Sequence, residues 1–436
     1  MHQLPTSPAS GPPKFYTNIE LLVKLGYHRN ALQLVLSMGC PLSLSAFLGK
    51  VTGLLQIVSP TWSQIAELHV ELQSAPSSND EVAHCARTLT TVLPNISKLY
   101  VNAETEDSLC QVVATNLVSA YAGQLVQSEC FVTIEPQDVH FSAQLRNLVA
   151  RCGSKMQSTM VDPASLTHLY IAGNVQHSIQ RLFFDRGPAS CVELANLEQL
   201  CVLSPSDSSD CSSLFKQLAF PNLSVLRINP SQLVCQLIEH ARLPDQLTKL
   251  EILTMHTGTI TMYNVQLASE QRAQLARFID DEDRVDFWAM TNYLFGAPLS
   301  SHSVLTLGRL TRMPTIEHLR WSCLTKLEIM CAVQASFLLR LVPCLPCTQE
   351  LVVHCLEFDK PELWPSAEPT NACLEVLRLN YPVSDANHLH IMALLVRLLP
   401  GLPEIFELFL PVFPPQFFSF VTEYGTKYPH IAGFAV

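Results

Sequence analysis

Cys344 and Cys347 stand in the run CLPC, with His354 and Cys355 a few residues further on. Cysteines at this spacing either help hold a zinc ion or form a redox pair with a lowered thiol pKa. Zinc needs four converging ligands, however, and no second C-x-x-C accompanies this one. The proline of CLPC also has a plainer role, as the stop of a helix between two small apolar residues. A second candidate, DDEDRVDF from Asp280 to Phe287, gathers five acidic residues but lacks the glycine that a calcium loop needs for its sharp turn, so it reads as a solvated loop. His388 and His390 lie two apart, and on a helix such residues do not share a face. There is no phosphate-cradling glycine run, nucleophile elbow or dinucleotide fingerprint. The expectation is a chain without catalytic residues, cofactor or metal, not an enzyme, with thiol or zinc chemistry at Cys344 and Cys347 as the alternative.

The composition points the same way. With 48% hydrophobic and 15% charged residues the chain has ample material for a core. Its net charge of −11, with no basic block, has the wrong sign for following a phosphate backbone, so nucleic acid is not expected as a partner. The N-terminal MHQLPTSPASGPPKFY has no apolar core of signal-peptide length, and residues 1–15 are expected to form a disordered leader. The most apolar run, IMALLVRLLPGLP, is broken by Arg397 and Pro400 and falls short of the roughly 20 residues that span a bilayer. Fifteen scattered cysteines, an odd number, suit a reducing environment better than a disulfide framework. No membrane association and an intracellular site, cytoplasmic or nuclear, are expected. The triplets opened by Asn95 and Asn222 match a glycosylation acceptor but sit at strand entries, and they are expected to be unmodified.

What organises the chain is a repeat. LTHLYI from Leu166 places apolar residues first, fourth and sixth. The spacing recurs in IAELHV from Ile65, ISKLYV from Ile96, LEQLCV from Leu197, LSVLRI from Leu223 and LTKLEI from Leu247 and again from Leu324. TQELVV from Thr348, LEVLRL from Leu374, IFELFL from Ile405 and IAGFAV from Ile431 continue it. Most intervals are 24–31 residues, and two longer ones, of 70 and 77, are expected to contain degenerate members. ALQLVL from Ala31 extends the series toward the N-terminus. Between these extended runs lie helix-periodic segments such as SQLVCQLIEHARLP and NHLHIMALLVRLLPGLP, each closed by a proline. Strand, helix and strand in one direction require a parallel sheet with helices against it. Three buried aliphatics per strand contribute roughly 5–9 kcal/mol, against at least ~25 kcal/mol of backbone entropy for a 25-residue unit, so each unit must lean on its neighbours.

These residues resemble leucine-rich-repeat proteins, and more narrowly the irregular repeats of fungal F-box-like proteins, whose lead-in the stretch YTNIELLVKLGYHRNALQLVLSM also resembles. The resemblance implies an α/β fold in which residues 16–436 form a single right-handed solenoid, with parallel strands on a concave face and helices on a convex one. An irregular or inserted segment is expected near 255–300, with a helix over Ser269–Ile279. Where the family would carry its F-box this chain has LPTSPASGPP, which cannot make those helices. The implied role is recognition of a protein partner, as in substrate recognition by an F-box-like protein. Strand alternation then picks the binding face, since the third, fifth and seventh positions oppose the buried fourth and sixth. Tyr100, Tyr170, Arg227, Glu251, Glu328 and Arg378 fall there and are of the types that dominate protein interfaces. A self-associating scaffold is the other alternative, through an apolar C-terminal edge at Ile431, Phe434 and Val436.

Overall fold

The computed structural model describes residues 33–38, as backbone, and most of 65–422. Breaks fall at 73–88, 104–107, 133–137, 151–157, 185–190, 204–210, 255–256, 280–286, 309–315, 317–318, 367–368, 403–406 and a few single positions. The proposed leader, the acidic run and the C-terminal IAGFAV lie outside the described residues. The chain is α/β and divides into two compact units, one reaching Leu223 and including His240–Leu243, the other comprising Ser224–Glu239 and the residues from Pro244 onward.

In the N-terminal unit seven strands run parallel: β1 (Gln33–Met38), β2 (Glu67–Leu72), β3 (Lys98–Ala103), β4 (Gln127–Cys130), β5 (Asn147–Ala150), β6 (His168–Ala172) and β7 (Gln199–Leu203). Their register follows the repeat: Leu34, Leu68, Leu99, Ser128, Leu148, Leu169 and Leu200 stand abreast. Of the fourth-position residues in β2 to β7, all are buried, as are Val70, Val101, Cys130, Ile171 and Val202 at the sixth. The weaker ALQLVL thus supplies β1. The 70-residue interval contains two further members, beginning at Leu125 and Leu145.

The C-terminal unit holds β8 (Val225–Ile228), β9 (Gln246–Thr254), β10 (Gly258–Gln266), β11 (His302–Leu307), β12 (Lys326–Gln334), β13 (Glu350–Glu357), β14 (Val376–Leu379) and β15 (Glu407–Phe409). All pair in parallel except β10, which is antiparallel to both β9 and β11. The sheet is therefore mixed where parallel strands alone were expected, and the departure lies inside the segment expected to be irregular. A short connection cannot return a chain parallel to itself, but it can reverse it as a hairpin. Here Thr254 Oγ1 closes the hairpin, accepting from Gly258 N at 2.8 Å and donating to Gly258 O at 2.6 Å. Gly258 has φ 150°, and a Cβ there would lie 2.0 Å from Thr306 O. Among the described residues no strand order closes into a barrel.

The helices cover the buried positions. In α1 (Ser108–Tyr121) the residues Cys110, Val113, Ala114, Leu117, Val118 and Tyr121 are buried, an apolar stripe at helical spacing. The stretch LTHLYIAGN resolves into β6, a left-handed Gly173 at φ 79°, and Asn174, whose Oδ1 accepts from His177 N at 2.9 Å and caps α2 (Val175–Phe183). Further along the chain α3 (Gln232–His240), α4 (Ser269–Ile279), α5 (Phe287–Gly296), α6 (Ala335–Leu341) and α7 (Asp385–Leu398) follow; α4 has the bounds the periodicity predicts. Among the described residues no helix is long and apolar enough to cross a membrane.

A β-turn precedes most strands. The first repeat residue donates to the carbonyl three residues back, as in Leu197 N to Leu194 O, Leu223 N to Phe220 O, Leu324 N to Trp321 O and Thr348 N to Leu345 O, at 3.1–3.3 Å. Pro221 and Pro346 occupy the second place of such turns, where proline's fixed φ suits the bend and ends the preceding helix.

Candidate functional site

The third and fifth strand positions leave the helix-packed side, and in both units they carry the polar and aromatic residues. In the N-terminal unit the fifth positions of β2, β3 and β6 place His69, Tyr100 and Tyr170 on one face, all half-buried. The His69 and Tyr100 rings stack with centroids 5.0 Å apart, Phe131 lies 5.4 Å from Tyr100, and Tyr170 lies 6.0 Å from Phe131. The predicted Tyr100 and Tyr170 are thus joined through Phe131 into one aromatic column running across the strands. Polar partners flank it. Glu67 Oε1 accepts from His69 Nε2 at 2.6 Å, Lys98 Nζ lies 4.0 Å from the same carboxylate, and Gln127 bonds Glu129.

The other four predicted residues belong to the C-terminal unit, and there the charges satisfy one another. Glu251 is 9% exposed and accepts from Arg227 Nε at 2.5 Å and from Lys249 Nζ at 3.0 Å. Burial pushes its carboxyl up, but the hydrogen bonds from Arg227 and Lys249, with their charges, outweigh that and hold it below the ordinary glutamate value. Lys249 also lies 5.8 Å above the Tyr263 ring, which neighbours His302 at 5.5 Å. Four strands along, Glu350 likewise lies between two cations, Lys326 at 3.0 Å and Arg378 at 3.6 Å, and the Arg378 guanidinium lies 4.0 Å over Phe409. Glu328 accepts from His354 Nε2 at 2.8 Å. Arg227 and Arg378 remain exposed and Glu328 half-buried. Glu251 offers little surface to a partner, and its role is to gather the cations around it.

Sequence reasoning missed Phe131, Tyr263 and His302. Phe131 is the seventh residue of a repeat whose fourth position is the buried Ser128 rather than an aliphatic, which hides the member from an apolar-spacing search. Its signal was Leu125 and Cys130 at the first and sixth places. Tyr263 belongs to the reversed strand, which no repeat spacing announces, and His302 stands where the repeat of β11 should have an apolar first residue.

Cys344 and Cys347 are not joined to each other. Cys344 Sγ points back toward Arg340 O at 3.7 Å and Ile316 O at 3.8 Å, while Cys347 is exposed. Burial, then the charges of Cys373 and Cys323, push the Cys347 thiol up, where a C-x-x-C redox pair would have it lowered. Among the described residues no group of three His, Cys, Asp or Glu side chains is arranged to hold a metal ion. His388 and His390 lie along α7, with the His390 ring 5.5 Å from Phe358. The chain matches no protein-family model, and no curated protein is significantly similar to it.

Proposed function

We propose that the chain is a non-catalytic, leucine-rich-repeat-like solenoid that binds a protein partner on the open side of its strands, as the recognition part of an F-box-like protein. The observation that carries this reading is the aromatic column of His69, Tyr100, Phe131 and Tyr170, held half-exposed across parallel strands. Aromatic side chains held in place by packing lose little rotamer freedom on binding, and tyrosine is enriched among the residues that dominate interface energy. The register through β1 to β7 supports the repeat reading, because equivalent residues stand abreast from one strand to the next.

A photo-crosslinking phenylalanine analogue at Tyr100 in the full chain, expressed in its native cells, tests the reading against the same analogue at the exposed Ser119 of α1. A defined protein should be captured from position 100 and not from 119. Tyr170→Ala should weaken its binding by about 2 kcal/mol, some 30-fold. Equal capture from both positions, or none from either, refutes the reading.

A further inference from the structure

The third place of the turns before the strands has a specific neighbour. In the N-terminal unit it carries amides that reach back to the preceding turn: Gln124 Nε2 donates to Pro94 O at 2.8 Å, Asn196 Nδ2 to Ala164 O at 2.6 Å and Asn222 Nδ2 to Ala195 O at 2.7 Å. A side chain at this place therefore lies over the turn before it. In the C-terminal unit the same place is taken by Cys323, Cys347 and Cys373, immediately ahead of Leu324, Thr348 and Leu374 in three consecutive repeats. Lys326, Glu350 and Val376, three residues beyond each cysteine, are register partners. The turns are also tied to one another: Thr348 Oγ1 donates to Leu324 O at 2.9 Å, and Asn371 Nδ2 donates to Leu345 O at 2.6 Å.

Three thiols thus form a column, with Cys347 in the middle and exposed, and Cys323 and Cys373 half-buried on either side. Strands in register lie about 4.8 Å apart, inside the roughly 4.4–6.8 Å that Cα atoms span across a disulfide. The cysteines sit in turns, outside the ladder itself, where a small adjustment can bring the Cβ atoms together. That the charges of both neighbours act on the Cys347 thiol fits this closeness. Cys344, the other member of CLPC, has its sulfur against the end of α6 and is the wrong partner.

We propose that Cys347 is an oxidative modification site, closing a disulfide with Cys323 or Cys373 when a small disulfide of the glutathione type supplies the oxidising equivalents. The Cys347 thiolate attacks one sulfur of the small disulfide, forming a mixed disulfide and expelling one thiolate. The thiolate of Cys323 or Cys373 then attacks Cys347 Sγ and expels the second. Two protein thiols are oxidised, the small disulfide is reduced to two thiols, and the two protons leave the cysteines for the departing thiolates. The product staples two consecutive repeats at their turns. This inference does not depend on the binding reading above.

The test uses the reduced full chain, held folded in oxidised glutathione, quenched by alkylation and mapped after digestion with trypsin and a glutamate-specific protease. Cleavage after Arg320, Lys326, Arg340, Glu350, Glu362 and Glu375 places the three cysteines on separate peptides. Cys347 should be recovered linked to Cys323 or Cys373. Cys373→Ser should move the link wholly to Cys323, Cys323→Ser wholly to Cys373, and the double variant should leave Cys347 as a glutathione adduct. Recovery of wild-type Cys347 as a stable adduct, as a free thiol, or linked to Cys344 overturns the proposal. Circular dichroism of each variant confirms that a lost link is not a lost fold.

Discussion

Replacing Glu251 with glutamine tests whether the charges of the C-terminal sheet face serve the fold. The substitution keeps shape and one acceptor oxygen but turns an amide NH2 toward one of the two cations. One charge-assisted hydrogen bond is lost, worth roughly 1.5–3 kcal/mol. The Arg227 side chain is 47% exposed and regains hydration, which lowers the expected cost to about 1–2 kcal/mol. A depressed folded-state pKa makes this contribution fully present above the unfolded glutamate value of about 4.3 and removes it as pH falls through the folded value. Urea unfolding of wild type and Glu251→Gln should therefore show a gap of about 0.5 M in midpoint at pH 7, taking m near the upper end of about 1–3 kcal/mol/M. The gap should shrink when both are measured near pH 3.5. No gap at pH 7, or a gap of unchanged size at low pH, refutes the account of Glu251 as the anchor of Arg227 and Lys249.

Other consequences concern single side chains. Tyr121 is 1% exposed and among the described residues its hydroxyl has no hydrogen-bond partner, so Tyr121→Phe should be neutral or raise unfolding free energy by about 1 kcal/mol; a loss above 1 kcal/mol in urea denaturation would mean the hydroxyl is satisfied after all. Gly401→Ala would put a Cβ 1.9 Å from Pro369 O and displace the Gly401 carbonyl that accepts from Asn371 N at 2.9 Å; a loss of at least about 2 kcal/mol is expected, and unchanged thermal stability counts against that packing. Asn264 holds φ 52° within β10, so Asn264→Gly should be tolerated while Asn264→Val costs about 1–2 kcal/mol, compared by thermal unfolding of the two variants.

The strand positions were legible in the sequence wherever an aliphatic filled the fourth and sixth places, because one register then serves every strand. They became illegible where the repeat carries another residue type: Ser128 at the fourth place of β4, Ala150 at the sixth place of β5, and the exposed His302 at the first place of β11. The reversal at β10 was unreadable for a different reason. Apolar alternation has no direction, so Ile260 and Met262 signal a strand without saying which way it runs. Helices α3 and α7 were legible through the prolines that close their segments and α4 through its periodicity, whereas α1, α2 and α5 were not; Asn174 turned out to cap a helix.

Residue type could place the six candidate residues on the outward face but could not say what each would meet there. That depends on which strands are neighbours: Arg227 bonds Glu251 because β8 pairs with β9, and Arg378 reaches Glu350 because β13 pairs with β14. The consequence bears on where binding energy can come from. A carboxylate already bonded to two cations must give up those bonds to meet a partner, and that cost offsets what a new charge pair returns. In the aromatic column of the N-terminal unit the rings of Tyr100, Phe131 and Tyr170 pack against one another and still have ring area to offer. On the proposed reading, removing ring surface at Tyr100 or Tyr170 should therefore weaken binding, whereas removing charge at Glu251 should first weaken the fold.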